Sequence, residues 1–197
     1  KFRVGEYEAY RHYSSLQSEL KTSAPYNQWE NPTGIYVKPG DSFYVMVSGI
    51  ASDMVGLKVK NWVQNENGST YGLRNGLNKI TATTEGNVFV DYYTDNYKNA
   101  SNVKVHFING SVRGYWDQAT MTNKDWKEML AKLPKDNSII IVRSEHAQLA
   151  YPVSAWKEHC PENVDSLITL YQQVQWAERD ILGLNKYGRQ TKNRQLY

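Results

Sequence analysis

The sequence holds a single cysteine, Cys160, in 197 residues, so no disulfide can form within the chain and a small cystine-stapled scaffold is excluded. A lone thiol beside Pro161 reads as structural, because a nucleophile needs surroundings that stabilise its thiolate. No apolar run approaches the roughly 20 residues of a membrane-spanning helix. An excess of charge is missing as well. The formal net charge is +3, and no cationic run is long enough to line a nucleic-acid groove. Lys186, Arg189, Lys192 and Arg194 are basic but lie among polar residues, and read as a solvated tail. Nucleic acid is therefore not an expected partner. The start at Lys1-Phe2-Arg3, with neither Met nor a signal sequence, is expected of a mature or trimmed chain.

Catalytic motifs are also scarce. His12, His106, His146 and His159 are scattered, and no two stand four apart as a helical zinc clamp requires. Glu145-His146 is followed by Ala150 where a second histidine would complete such a clamp. There is no Gly-x-Ser-x-Gly elbow and no phosphate-cradling Gly-Lys-Ser/Thr loop. Asn67-Gly68-Ser69, Asn99-Ala100-Ser101 and Asn109-Gly110-Ser111 match the glycosylation sequon but read first as turns.

What is present is apolar patterning. The chain is 40% hydrophobic and 13% aromatic, enough for a sizeable core. In Asn31–Gly49, Asn31-Pro32-Thr33-Gly34 reads as a turn, Ile35-Tyr36-Val37 as a short strand and Pro39-Gly40-Asp41 as a second turn. Phe43, Val45 and Val47 then share one face of a longer strand, so the stretch predicts a hairpin or a β-arch. Alternation recurs at Leu57/Val59/Asn61, Val88/Val90/Tyr92 and Val103/Val105/Phe107, with further strand character over Leu77–Thr84. Asp91 and Asp95, flanking Tyr92-Tyr93, read as a strand end rather than a sugar site. Before these strands, Glu6 to Leu20 carries one weak helical pattern through Tyr13, Leu16 and Leu20.

The pattern changes near Asp117. Thr122 and Asp125 form a capping box with Asp in place of Glu, followed by the helical stripe Trp126, Met129, Leu130, Leu133. Ser138–Arg143 reads as a buried strand and Pro152–His159 as a short helix. Val164, Leu167, Ile168, Tyr171, Val174 and Ile181 mark a long amphipathic helix closed at Gly183. The fold class is accordingly α+β: an antiparallel, jelly-roll-like β-sandwich over residues 1–120, then a mostly helical portion over 121–197.

Aromatic residues supply the one functional hint that is physical. Flat rings with polar neighbours suit stacking on sugars or packing between elements. Tyr115-Trp116-Asp117, at the change from strands to helices, and Trp62 are the candidate ligand-binding residues. Closure of the core is the competing role for the same rings.

Together, NPTGIYVKPGDSFYVMVSG, GLNKITATTEGNVFVDYYT, VKVHFINGSVRGYWD, DWKEMLAK and WAERDILGL occur in the order found in the enhancin-like, mucin-directed zinc metallopeptidases, peptidase family M-sixty, and the chain resembles the front portion of that family along its whole length. The resemblance implies an exported protein, secreted, periplasmic or on a bacterial surface, that meets host glycoproteins such as mucins. It also implies zinc in the full-length family member, held by a His-Glu-x-x-His helix and a later glutamate, with the motif glutamate activating water. None of those residues lies within Lys1–Tyr197. The chain is expected to hold no cofactor of its own, to be inactive alone, and to have the missing catalytic subdomain as a partner. The alternative is a free-standing carbohydrate- or glycoprotein-binding sandwich.

Overall fold

The chain divides into two units, Lys1–Gly114 and Tyr115–Tyr197, each with sheets of its own. The computed structural model describes residues 2–22, 26–64 and 66–197, without the side chains of 66 and 67, so the Asn67 side chain of the first sequon lies outside the described residues.

The first unit runs β1 (Val4–Tyr7), α1 (Tyr13–Leu20), β2 (Asn31–Val37), β3 (Ser42–Ser48), β4 (Gly56–Asn61), β5 (Glu66–Gly72), β6 (Gly76–Thr81), β7 (Gly86–Asp91), β8 (Val103–Phe107) and β9 (Ser111–Val112). Its strands make two antiparallel sheets, ordered β1-β8-β3-β6 and β5-β4-β7-β2-β9. Period-two alternation is plainest in β3, where Phe43, Val45 and Val47 are buried between exposed neighbours. These side chains join Val103, Val105 and Phe107 of the same sheet and Leu57, Val59, Val88 and Val90 of the other in one hydrophobic cluster. Burying each such side chain contributes about 1.5–3 kcal/mol.

The Asn31–Gly49 stretch forms an arch and not a hairpin, because β2 and β3 belong to different sheets. Its turn chemistry is divided between two jobs. Lys38–Asp41 makes the crossing, with Asp41 N–H bonded to the Lys38 carbonyl at 3.0 Å and Lys38 N–H to the Asp41 carboxylate at 2.8 Å. Asn31–Gly34 is not a separate turn. It is the start of β2, and the register of β2 on β7 shifts between Pro32 and Tyr36. Gly34 has φ +75°, and a Cβ there would sit 2.9 Å from the Gly114 Cα. Only glycine satisfies both demands.

The weak helical pattern over Glu6–Leu20 is narrower than expected. The helix covers Tyr13–Leu20 with Leu16 buried, while Val4–Tyr7 pairs with β8 as a strand. The outer face of β7 also departs from a polar surface: Phe89 is buried under Trp29 and Trp62.

The second unit runs β10 (Trp116–Asp117), α2 (Asn123–Lys132), β11 (Ile139–Arg143), β12 (Ala147–Pro152), α3 (Val153–His159), α4 (Val164–Ile181) and β13 (Gln195–Leu196). It is less helical than its sequence suggests, since one four-stranded sheet, β10-β11-β12-β13, accompanies its three helices. β11 and β12 are antiparallel, and each edge strand lies parallel to its neighbour. Class α+β with mostly antiparallel sheets therefore describes the described residues of the whole chain.

The capping box of α2 forms with aspartate. Thr122 Oγ1 accepts from Asp125 N–H at 3.3 Å, and Asp125 Oδ2 accepts from Thr122 N–H at 2.8 Å. Trp126 then meets Trp156 of α3 edge to face, with centroids 5.2 Å apart, and donates from Nε1 to the Cys160 carbonyl at 2.9 Å. Burial pushes the Cys160 thiol above its ordinary value, as suits a structural residue.

Two expectations for this unit are corrected. On α4 the buried residues are Val164, Ile168, Gln175 and Arg179, while Val174 and Ile181 of the proposed apolar stripe are exposed. The basic tail is not simply solvated. Gln195-Leu196 completes the sheet, Asn193 is fully buried, and its carbonyl accepts from Arg179 Nη2 at 3.4 Å. Backbone pairing, to which polar residues contribute as well as apolar ones, draws this segment in.

Candidate functional site

Trp116 is fully buried and donates from Nε1 to the Thr122 carbonyl at 3.0 Å, so it presents no face to a sugar. Asp117, 7% exposed, accepts Arg143 Nε at 2.7 Å and Nη2 at 2.6 Å, and its Oδ1 receives Ala119 N–H at 3.0 Å. Tyr115 lies against the same guanidinium, 5.3 Å from its ring centre, and burial holds its phenol above the ordinary value. Trp62 belongs to the other unit, where it, Trp29 and Phe89 form a three-ring cluster with Lys60 Nζ 5.5 Å above the Trp62 ring. Burial, and secondarily Lys58, depresses the Lys60 ammonium.

A different cleft in the second unit does gather chemistry. It encloses about 390 Å³, and its lining comes from three places in the chain. Thr169, Gln172, Gln173 and Trp176 stand at i, i+3, i+4 and i+7 and so share one face of α4. Glu145 and His146 come from the turn between β11 and β12, which is closed by Ser144 N–H on the Ala147 carbonyl at 2.9 Å. Gln118, just after β10, reaches across with its Nε2 to Asp165 at 3.1 Å and Thr169 at 2.9 Å.

His146 is the most constrained member. Its ring stacks on the Trp176 indole with centroids 5.7 Å apart and planes 23° apart. Its Nδ1 lies 3.2 Å from Arg179 Nη1. A guanidinium only donates, so Nδ1 accepts, the imidazole is neutral and its proton is on Nε2. Burial first, then the Arg179 charge, holds the imidazole below its ordinary value, with Glu145 pulling the other way. Glu145 Oε1 is 3.8 Å from Nε2 on a side chain that is 75% exposed. Trp176 is 46% exposed, and the Gln172 amide oxygen is buried with no hydrogen-bond partner. The cleft therefore offers an open ring face and an N–H donor.

Solved structures match this fold. A metallopeptidase from Bacteroides thetaiotaomicron matches with TM-score 0.88 and 26% identity over 99% of this chain. A metallopeptidase in complex with Tn antigen matches equally well, at TM-score 0.88, 26% identity and 99% of this chain. The M-sixty catalytic domain of ZmpC from Clostridium perfringens, solved with sialyl T antigen, shares the fold at TM-score 0.61 and 15% identity over 79% of this chain. This chain resembles the enhancin-like M-sixty metallopeptidases. It spans 34%, 38% and 35% of those three proteins, so it corresponds to about a third of an M-sixty structure. No protein-family model and no curated protein matches the sequence.

Zinc, which the M-sixty resemblance implies, does not fit the residues present. Among the described residues no three histidine, cysteine, aspartate or glutamate side chains come together to hold a metal ion. His146 has Arg179 on one ring nitrogen and a single carboxylate near the other, a poor donor set for a dication. No helix among the described residues is long and apolar enough to cross a membrane.

Proposed function

We propose that this chain is the non-catalytic front part of an exported zinc metallopeptidase that acts on host glycoproteins such as mucins. The observation that carries the reading is the match of 99% of the chain to about a third of two metallopeptidase structures, one of them bound to Tn antigen. On this reading the β-rich unit is a jelly-roll-like sandwich that supports a catalytic portion supplied elsewhere in a longer polypeptide. That portion holds the zinc, and this chain has no hydrolytic step of its own. A second reading, a free-standing glycan-binding module, draws on the open Trp176 indole in its cleft.

One experiment separates the two. The natural reading frame is expressed in full beside the 197-residue chain, and both are assayed for bound zinc and for cleavage of an O-glycosylated mucin fragment. The expected result is a longer product with a His-Glu-x-x-His motif, one zinc per chain and cleavage, and none of these for the shorter chain. A reading frame that closes at Tyr197 overturns the first reading in favour of the second. Cleavage by the 197-residue chain overturns both.

A further inference from the structure

We infer that the cleft on α4 is a binding subsite for a neutral pyranose sugar, with Trp176 as the stacking platform and His146 and Gln118 as the hydroxyl-reading groups. The inference rests on the glycoprotein-directed reading above and gives that reading a location in this chain.

A sugar ring has one face of C–H groups and a rim of hydroxyls, so its site needs an aromatic face beside polar groups that both donate and accept. Trp176 is nearly half exposed, and its orientation is held by the stacked His146 ring. His146 cannot turn freely, because Arg179, 2% exposed, holds its Nδ1. The platform is thus fixed before any ligand arrives.

The polar groups are of both kinds. His146 Nε2–H is a donor beside the indole. The Gln118 amide nitrogen is spent on Asp165 and Thr169, which leaves its oxygen as the acceptor. A hydroxyl fills either role, so a polyol satisfies this set where a pure donor or acceptor does not.

Charge and size narrow the class. The Glu145 carboxylate at the rim disfavours an anion, and Arg179 behind His146 disfavours a cation. About 390 Å³ lies at the small end of the about 300–1,000 Å³ range of ligand clefts, which suits a monosaccharide or disaccharide.

The test is a titration of the ¹⁵N-labelled full chain with galactose, glucose and N-acetylgalactosamine, read by two-dimensional NMR. The expected result is saturable shifts of the Trp176 indole N–H and of the Gln172 and Gln118 side-chain amides by at least one of these sugars. Trp176→Ala weakens that binding about tenfold, while the remaining resonances of the variant stay in place. Trp176 is half-exposed, so its removal leaves the fold intact to report the loss. Shifts that map elsewhere and survive Trp176→Ala overturn the subsite, as does an absence of shifts with all three sugars at high millimolar concentration. Neither outcome touches the zinc and cleavage measurements on the longer product, which decide the glycoprotein-directed reading separately.

Discussion

Replacing Asp117 by alanine tests whether the Tyr115–Asp117 stretch is framework or binding surface. The carboxylate accepts two Arg143 N–H groups and one backbone N–H, from Ala119. Removing one member of a fully buried ion pair costs about 3–5 kcal/mol, mostly because the other charge keeps its desolvation. Here the Arg143 side chain is 19% exposed and water recovers part of that loss, so about 2 kcal/mol is expected for the pair. The Ala119 N–H adds about 1 kcal/mol, giving about 3 kcal/mol in all. Asp117→Asn keeps the shape and the Ala119 acceptor and should cost less. Urea unfolding followed by tryptophan fluorescence reads the change, because Trp116, Trp126, Trp156 and Trp176 all lie in the second unit. With Arg143→Met as the second arm of a double-mutant cycle, the coupling should be about 1–3 kcal/mol. A loss below about 0.5 kcal/mol, or additive single mutants, would refute the framework assignment.

Two further outcomes are expected. Gly86→Ala should destabilise the first unit by at least about 2–3 kcal/mol, because φ is +153° and the new Cβ would lie 2.1 Å from the Lys60 carbonyl oxygen. Gly72→Ala, with nothing within 4 Å, is the control and should stay within about 0.5 kcal/mol, both read by urea unfolding through Trp29 and Trp62. The His146 imidazole should titrate below its ordinary value of 6.5. A base depressed on folding binds its proton more readily when unfolded, so its contribution to stability is complete above 6.5 and is lost as pH falls through the folded value. NMR titration of the ring and urea midpoints across that window check this, and a His146→Gln variant should show a flatter pH dependence.

Much of the fold was legible because it is written in periodicity. The β3, β8 and β11 strands, the α2 capping box and the α3 and α4 helices follow from spacing alone. The misses share a cause: backbone pairing or a distant partner outweighed side-chain pattern. Val4–Tyr7 is a strand because β8 supplies its hydrogen bonds, and Gln195-Leu196 because β12 does. Gln175 and Arg179 occupy the buried face of α4 because Glu178, Tyr197, His146 and Asn193 meet their polar groups. The cleft had one readable signal, the polar stripe Thr169, Gln172, Gln173 carrying an indole at Trp176. Its other walls, Gln118 and Glu145-His146, are brought in only by the sheet.

The pairing of β1 with β8 also bears on synthesis. Among the described residues β1 is an edge strand whose only partner in the sheet is β8, with Val4 opposite His106. At about 5–20 residues per second, β1 waits roughly 5–20 s for its partner to leave the ribosome. A strongly apolar strand would spend that interval seeking other edges. Val4-Gly5-Glu6-Tyr7, with little strand character of its own, is a segment that can wait without mispairing.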